Sequence, residues 1–260
     1  MATFTYQESD LHRRYDLGRT LTTAATDALV ELLRGYVARP VNLIVDLGSG
    51  TGRFSTALSE AFTSQVLGVE PAANMRATAE AKPHSLSVRF VQGEAENIPV
   101  DDGVADLVFM SQVLHHLVDG QKALREIHRV LKSNGNLCVR QTTRENLDSY
   151  FYQRFFPAAR AVDERRLPSR DGLVALATSC QYRTVAIETL SYEIAPTAAE
   201  YVEKIALRTY SDLECIDDVA FREGLAALRE YCSAHPDHPK RAENDLFIFA
   251  KVKFNSDNQP

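Results

Sequence analysis

Cysteine is scarce in this 260-residue chain. Four stand far apart, at positions 138, 180, 215 and 232, and no two form a Cys-x-x-Cys pair. Neither a disulfide framework nor a short-spaced zinc site follows from that spacing. We expect buried thiols, a reducing and cytoplasmic setting, and no bound metal. Long apolar runs are also missing, and nothing approaches the roughly 20 residues that span a bilayer. The opening MATFTYQESD lacks the basic-then-apolar pattern of a signal peptide, so no membrane association is expected. Basic residues do not dominate either. A net charge of −6 gives no general attraction to polyanions, which disfavours nucleic acid and points to a small-molecule substrate. What is present is ordinary for a folded domain: 45% hydrophobic and 25% charged residues, in a chain long enough to bury a sizeable core.

The middle of the chain alternates short apolar runs with helical patterns. Apolar spacing predicts a helix over 20–35, stopped by Gly35, and VNLIVDL then reads as a buried strand. GSGTGRFSTALSEAF is a glycine loop entering a helix, and QVLGVE is a second strand ending on an acid. SVRFVQG, DLVFMSQ and NLCVRQT follow as further strands, with helices around AANMRATAEA and 121–131 between them. Such alternation implies a parallel sheet covered on both faces, with ligands at the carboxyl ends of its strands. After the fifth strand the rhythm breaks. A helix (171–180) and a strand (182–191) resume it, helical patterns follow at 197–209 and 216–232, and LFIFAKVKF reads as an edge or near-edge last strand. No linker or low-complexity segment interrupts the chain. We expect one domain over 1–260, with a core at about 36–142, 171–192 and 244–254. An N-terminal helical segment (1–35) and cap insertions (about 143–170 and 193–243) complete it.

The stretch VDLGSGTGRF, residues 45–54, places Gly48, Gly50 and Gly52 behind Asp46. Bare backbone there lets a ligand approach closely. A dinucleotide fingerprint needs a third glycine at 53, where Arg53 stands, and a phosphate loop needs a lysine that is absent. An acid at the end of the next strand, Glu70, lies 18 residues past Gly52 and can accept from the two hydroxyls of a ribose. Asp46 beside the loop favours a cationic ligand.

These residues resemble the first two motifs of the class I S-adenosylmethionine-dependent methyltransferases, in the small-molecule branch typified by ubiquinone and menaquinone methyltransferases. Serine at 49 replaces the family's usual cysteine or glycine. The resemblance extends through GEAENIPVDDGVADLVFMSQVLHHLVD and spans about residues 41–142. It implies a Rossmann-like doubly wound, seven-stranded α/β sheet, mostly parallel with an antiparallel last strand. It further implies S-adenosylmethionine as cofactor, held by Asp46, Gly48, Ser49, Gly50, Gly52, Glu70 and Pro71. Glu94 and Ala95 would frame the adenine, Ser111 would line the wall, and a leading-segment group such as Arg14 would hold the methionine carboxylate.

For the acceptor side, His115 and His116 follow the fourth strand and titrate near neutrality, which makes either a candidate base. QTTRENLDSYFYQRFF begins where the fifth strand ends. It offers Gln141 and Arg144, then five aromatics between 150 and 156 that read either as a pocket wall or as the core of the cap. Between 144 and 170 stand six arginines, no lysine and four acids. That composition fits anion recognition, with Arg144 nearest the site, or internal ion pairs. The expected function is methyl transfer to oxygen or nitrogen of a small metabolite, anionic if the arginine set recognises its charge, in specialised biosynthesis by resemblance. The alternatives are a non-methylating enzyme on the same fold (cyclisation, elimination or decarboxylation) or a non-catalytic cofactor-binding partner subunit. Homodimer and partner-subunit assemblies both stay open.

Overall fold

Residue 6, residues 10–237 and residues 241–252 are described by a computed structural model of the chain. Short apolar strands between amphipathic helices bury both faces of a sheet, and seven of them do so here. They are β1 (Leu43–Leu47), β2 (Gln65–Val69), β3 (Val88–Val91), β4 (Ala105–Ser111), β5 (Leu131–Gln141), β6 (Tyr182–Glu193) and β7 (Arg241–Lys251). Their order across the sheet is 3-2-1-4-5-7-6. β1 to β5 pair in parallel, and β7 runs antiparallel between β5 and β6. The order reverses between β1 and β4, the switch point at which open sheets form a ligand crevice. The doubly wound sheet with an antiparallel last strand is as the sequence led us to expect. β7 lies one place from the edge, and β6, alternately buried and exposed along its length, is the edge itself.

Alternation along the strands divides the core. Ile44, Phe109, Cys138 and Ile248 point to one face and pack with α2 (Thr23–Tyr36) and α3 (Ser55–Phe62). Val45, Val108, Val139 and Phe247 point to the other, against α5 (Gly120–Val130) and α7 (Arg170–Ser179). α4 (Ala73–Ala81) follows β2. Side-chain oxygens of Thr22, Asp119 and Ser169 accept from backbone amides in the first turns of α2, α5 and α7. Gly35 does not stop α2, which continues through Tyr36 before Val37 turns into extended backbone.

The break after β5 is a helical cap. Two 3-10 turns (Arg144–Ser149 and Phe151–Arg154) lead into α6 (Pro157–Arg166). α8 (Ala198–Ala206), α9 (Ser211–Glu214) and α10 (Asp218–Ala234) fill the span before β7. Phe151, Tyr152, Phe156, Tyr201, Leu213 and Leu228 make a separate apolar core there. The aromatic run at 150–156 is therefore largely cap core. β7 already begins at Arg241, inside the span expected as a loop, while the expected strand end at 253–254 lies outside the described residues. A short N-terminal helix, α1 (Tyr15–Arg19), packs on α8. Its Gly18 is pressed against the cap so closely that a Cβ would lie 2.1 Å from Thr209 Oγ1. Three of the four cysteines are buried as expected, but Cys215 is exposed.

Candidate active site

The glycine loop joins β1 to α3 at the switch point. Gly48, Gly50 and Gly52 all hold φ between +56° and +73°, a left-handed backbone that side chains with a Cβ rarely adopt. Any Cβ at Gly52 would also sit 2.7 Å from the Phe90 ring. Glu70, 7% exposed at the carboxyl end of β2, accepts from Gly50 N at 2.8 Å and from Ala72 N at 2.9 Å. Burial raises its pKa, and the two amides pull it back. Each bond uses one oxygen, so both oxygens keep acceptor capacity for a pair of ligand hydroxyls. The open backbone at Gly50 and this half-used carboxylate fit the nucleoside end of S-adenosylmethionine. Pro71 lies between Glu70 and Ala72, the N-cap of α4. Ala95 is buried while Glu94 stays exposed beside it, as a rim group would be. Ser49 is 8% exposed, and its Oγ has no hydrogen-bond partner.

Two expected cofactor contacts fall differently. Asp46 shares the α3 face with Ile44, is 2% exposed, and accepts from Ser55 Oγ at 2.6 Å. Burial pushes it up to about 6. It anchors the loop to the start of α3 rather than offering its carboxylate to a ligand. Arg14 is taken up by Asp10 at 2.9 Å and Glu214 at 2.7 Å, so its charge is already answered. The leading segment instead touches the loop through Asp16, which accepts from Thr51 Oγ1 at 2.6 Å and pairs with Lys82.

Beyond the loop, neighbouring residues at the end of β5 diverge. Gln141 shares the α5 face with Val139 and is fully buried. Its Nε2 reaches Thr142 O and His115 Nδ1, each at 3.0 Å, and its Oε1 has no partner. With Nδ1 accepting, a neutral His115 ring carries its proton on Nε2 and acts as a donor. Burial, then His116 and Arg166, hold the His115 pKa well below its ordinary value. His116, with centroids 4.1 Å from His115, is pushed down to about 3, chiefly by burial. Both rings are neutral at neutral pH, the form that can accept a proton, but the lowered pKa makes each a weak base, and the His115 Nδ1 is already engaged by Gln141.

Arg144 does not reach the site. It is exposed, and its Nε donates to Leu167 O at 2.8 Å. The residue that turns inward is Arg140, 3% exposed, with Nη1 donating to Ser111 Oγ at 3.1 Å. Sequence reasoning passed over it as one more residue of a strand. Its place at the carboxyl end of a central strand, in phase with Cys138, was the available signal.

A cavity of about 40 Å³ lies between β4, β5, α1 and the cap, with room for a few water molecules. Tyr15, His115, Tyr150, Arg166 and Tyr210 are among its walls, and among the described residues Leu167 is the one aliphatic side chain lining it. Arg166 pairs with Asp163 at 2.7 Å and donates to Ser211 Oγ at 2.8 Å. Tyr152 OH donates to Asp212 at 2.9 Å. Asp163 is pushed up to about 7 by burial and by Asp212, and burial raises Asp212 as well. Among the described residues no group of three or more His, Cys, Asp or Glu could hold a metal ion, and no helix is long and apolar enough to cross a membrane.

Comparison with known proteins agrees with this geometry. The family described as "Methyltransferase domain" matches residues 45–139, the span from β1 to β5. Demethylmenaquinone methyltransferase of Staphylococcus epidermidis is 37% identical over 106 residues, covering 40% of this chain and 44% of that protein. The chain thus spans less than half the length of that relative. Ubiquinone/menaquinone biosynthesis C-methyltransferase UbiE of Rubrivivax gelatinosus is 33% identical over 202 residues, or 70% of this chain and 80% of that one. The solved structure of the YcgJ protein of Bacillus subtilis, 21% identical, superposes over 89% of this chain and 100% of its own with a TM-score of 0.59. With a shared sheet, glycine loop and strand-end acid, and 33% identity over four fifths of a full-length relative, the chain belongs to the class I S-adenosylmethionine-dependent methyltransferases.

Proposed function

We propose that this protein transfers a methyl group from S-adenosylmethionine to oxygen or nitrogen of a small polar metabolite. The observation that carries this reading is the juxtaposition of the glycine loop and Glu70 with a polar cavity at the carboxyl ends of β4 and β5. The cofactor supplies an activated methyl on a sulfonium, so the protein's task is alignment and exclusion of water. Gly48 to Gly52 give the backbone cradle, Glu70 takes the ribose hydroxyls, and Ala95 with Glu94 borders the base.

On the acceptor side, the hydroxyls of Tyr15, Tyr150 and Tyr210, the Arg166 guanidinium and the His115 Nε2–H supply hydrogen bonds. With one aliphatic side chain in the wall, the cavity suits a polar acceptor better than an extended apolar one. His115 acts as an orienting donor and leaves proton removal to the acceptor's own acidity. α1 contributes Tyr15 and Arg19 to the wall of the cavity.

Incubation with methyl-labelled S-adenosylmethionine and a panel of small polar phenols, alcohols and amines tests the proposal. Labelled product and S-adenosylhomocysteine should form in equal amounts. Product forming without S-adenosylhomocysteine would overturn methyl transfer in favour of another reaction on the same fold.

A further inference from the structure

Arginine in a folded protein is ordinarily matched by carboxylate, and most arginines near this site are. Three are not. Arg19 at the end of α1, Arg53 just after the glycine loop and Arg140 at the end of β5 converge on one small cavity, with Tyr192 and Tyr210 among its walls. They meet there because Arg140 and Ser111 continue the sheet face that α2 and α3 cover, while Gly18 seats α1 against the cap above it. The Arg140 guanidinium lies 5.1 Å from the Tyr192 ring centroid and 5.7 Å from that of Phe54. Arg53 stacks on Phe54 at 4.5 Å and donates to the carbonyl oxygen of Arg19, whose guanidinium lies 4.0 Å over Tyr210.

Among the described residues no carboxylate comes within ion-pair distance of any of the three. Asp46 acts on Arg53 from farther away, and its carboxylate is turned to Ser55. Burial, then the charges of Arg140 and Arg19, hold Arg53 below its ordinary pKa, while at Arg19 burial is outweighed by the neighbouring tyrosines, which hold it above its own. A guanidinium as buried as Arg140 is costly to keep without a counter-charge.

We propose that Arg19, Arg53 and Arg140, with Tyr192 and Tyr210, form a subsite for an oxyanion carried by the methyl acceptor: a phosphate, sulfate or carboxylate group. The proposal rests on the methyl-transfer reading and narrows its substrate class. The amino-acid end of the cofactor is a weaker match, since its ammonium offsets its carboxylate and three guanidiniums would stay unanswered. A phosphate, at about −1.5 to −2 near neutrality, accepts from several planar donors at once.

Inorganic phosphate is the probe, titrated by calorimetry at constant ionic strength into the full chain, both free and saturated with S-adenosylhomocysteine. The subsite predicts phosphate binding in both states. It also predicts a loss of about tenfold or more in Arg19→Gln, while affinity for S-adenosylhomocysteine moves less than about threefold. Arg140→Gln, checked for folding by its melting curve, should weaken phosphate likewise; if it does not fold, Arg19→Gln alone decides. Phosphate that does not bind, or binds Arg19→Gln as well as wild type, overturns the subsite. So does competition between phosphate and S-adenosylhomocysteine with a tenfold loss of the latter in Arg19→Gln, which would assign the arginines to the cofactor. Wild type that binds phosphate but not S-adenosylhomocysteine would instead refute the methyl-transfer reading and leave an anion site standing.

Discussion

Two sets of arginines surround the site, and they are used in opposite ways. In the cap and at its border, charge is matched inside the protein: Arg166 by Asp163, Arg160 by Asp148 and Glu164, and Arg170 by Asp245. Arg19, Arg53 and Arg140 face tyrosines and one another instead. The first set fixes elements in place, and removing a partner from it should damage the fold. The second stores unanswered positive charge, and reducing it should spare the fold and impair what binds. A count of arginines along a sequence cannot separate these uses, because the difference lies in which carboxylates the fold brings up.

The largest expected effect lies in the matched set. Asp245 is fully buried and accepts from Arg170, Thr143 and Thr189. Asp245→Ala should cost about 3 kcal/mol in urea unfolding. Burial raises the Asp245 pKa, but those three donors outweigh it, so the group sits below its ordinary value. Its contribution is therefore complete above about pH 3.9 and lost as pH falls through the lower folded value. The stability difference between wild type and Asp245→Asn should shrink over that acid range. A difference that is flat with pH would contradict the ion-pair account.

Gly18→Ala comes next. Its Cβ would overlap Thr209, a side chain 1% exposed, and pushing α1 off the cap should cost about 2 kcal/mol. Because α1 carries Arg19, phosphate affinity should fall with it. Unchanged melting and unchanged phosphate binding together would show that α1 does not depend on this contact.

Arg53→Gln should behave in the contrary way. Removing one of three crowded charges should leave the melting temperature of the ligand-free protein equal or raise it by a degree or two, roughly 0.5 kcal/mol. A fall of several degrees would mean that Arg53 belongs to the matched set. The smallest effect is expected of Arg160→Ala, whose partners Asp148 and Glu164 are 86% and 52% exposed. Stability should move by less than about 1 kcal/mol and phosphate binding not at all.

The histidines add a pH signature. His116 is held down to about 3, so the folded protein resists taking its proton. Stability gained at neutral pH should be lost progressively as pH falls below about 6.5, the ordinary value, toward 3. His116→Gln should reduce the slope of the unfolding profile over that window, with His115 retaining the rest, and an unaltered profile would mean that His116 titrates normally.

The glycine loop and its strand-end acid were legible in the sequence because their geometry is local. Gly48, Gly50 and Gly52 are neighbours in the chain, and Glu70 ends the adjacent parallel strand, so spacing alone brings them together. The parallel part of the sheet was legible for the same reason, since each β-α-β step is short and has one preferred hand, while the antiparallel last strand came from the family resemblance. The other half depends on contacts that sequence distance hides. Arg14 is neutralised by Glu214, 200 residues away, and Arg170 by Asp245, 75 residues away. Arg144 stood nearest the expected site along the chain, yet the turn after β5 carries it out to the surface. Arg140 and Gln141 are adjacent and face opposite sides of the sheet, which explains why one residue's shift in attention missed the arginine that points inward.

Glu70 tests the central claim most directly. Calorimetric titration of S-adenosylhomocysteine into wild type and Glu70→Ala asks whether the loop and its acid hold a nucleoside. We predict one-to-one binding by wild type and a loss of about tenfold or more in the variant, with the melting curve showing it folded. No binding by wild type, or equal binding by a folded Glu70→Ala, would contradict the account.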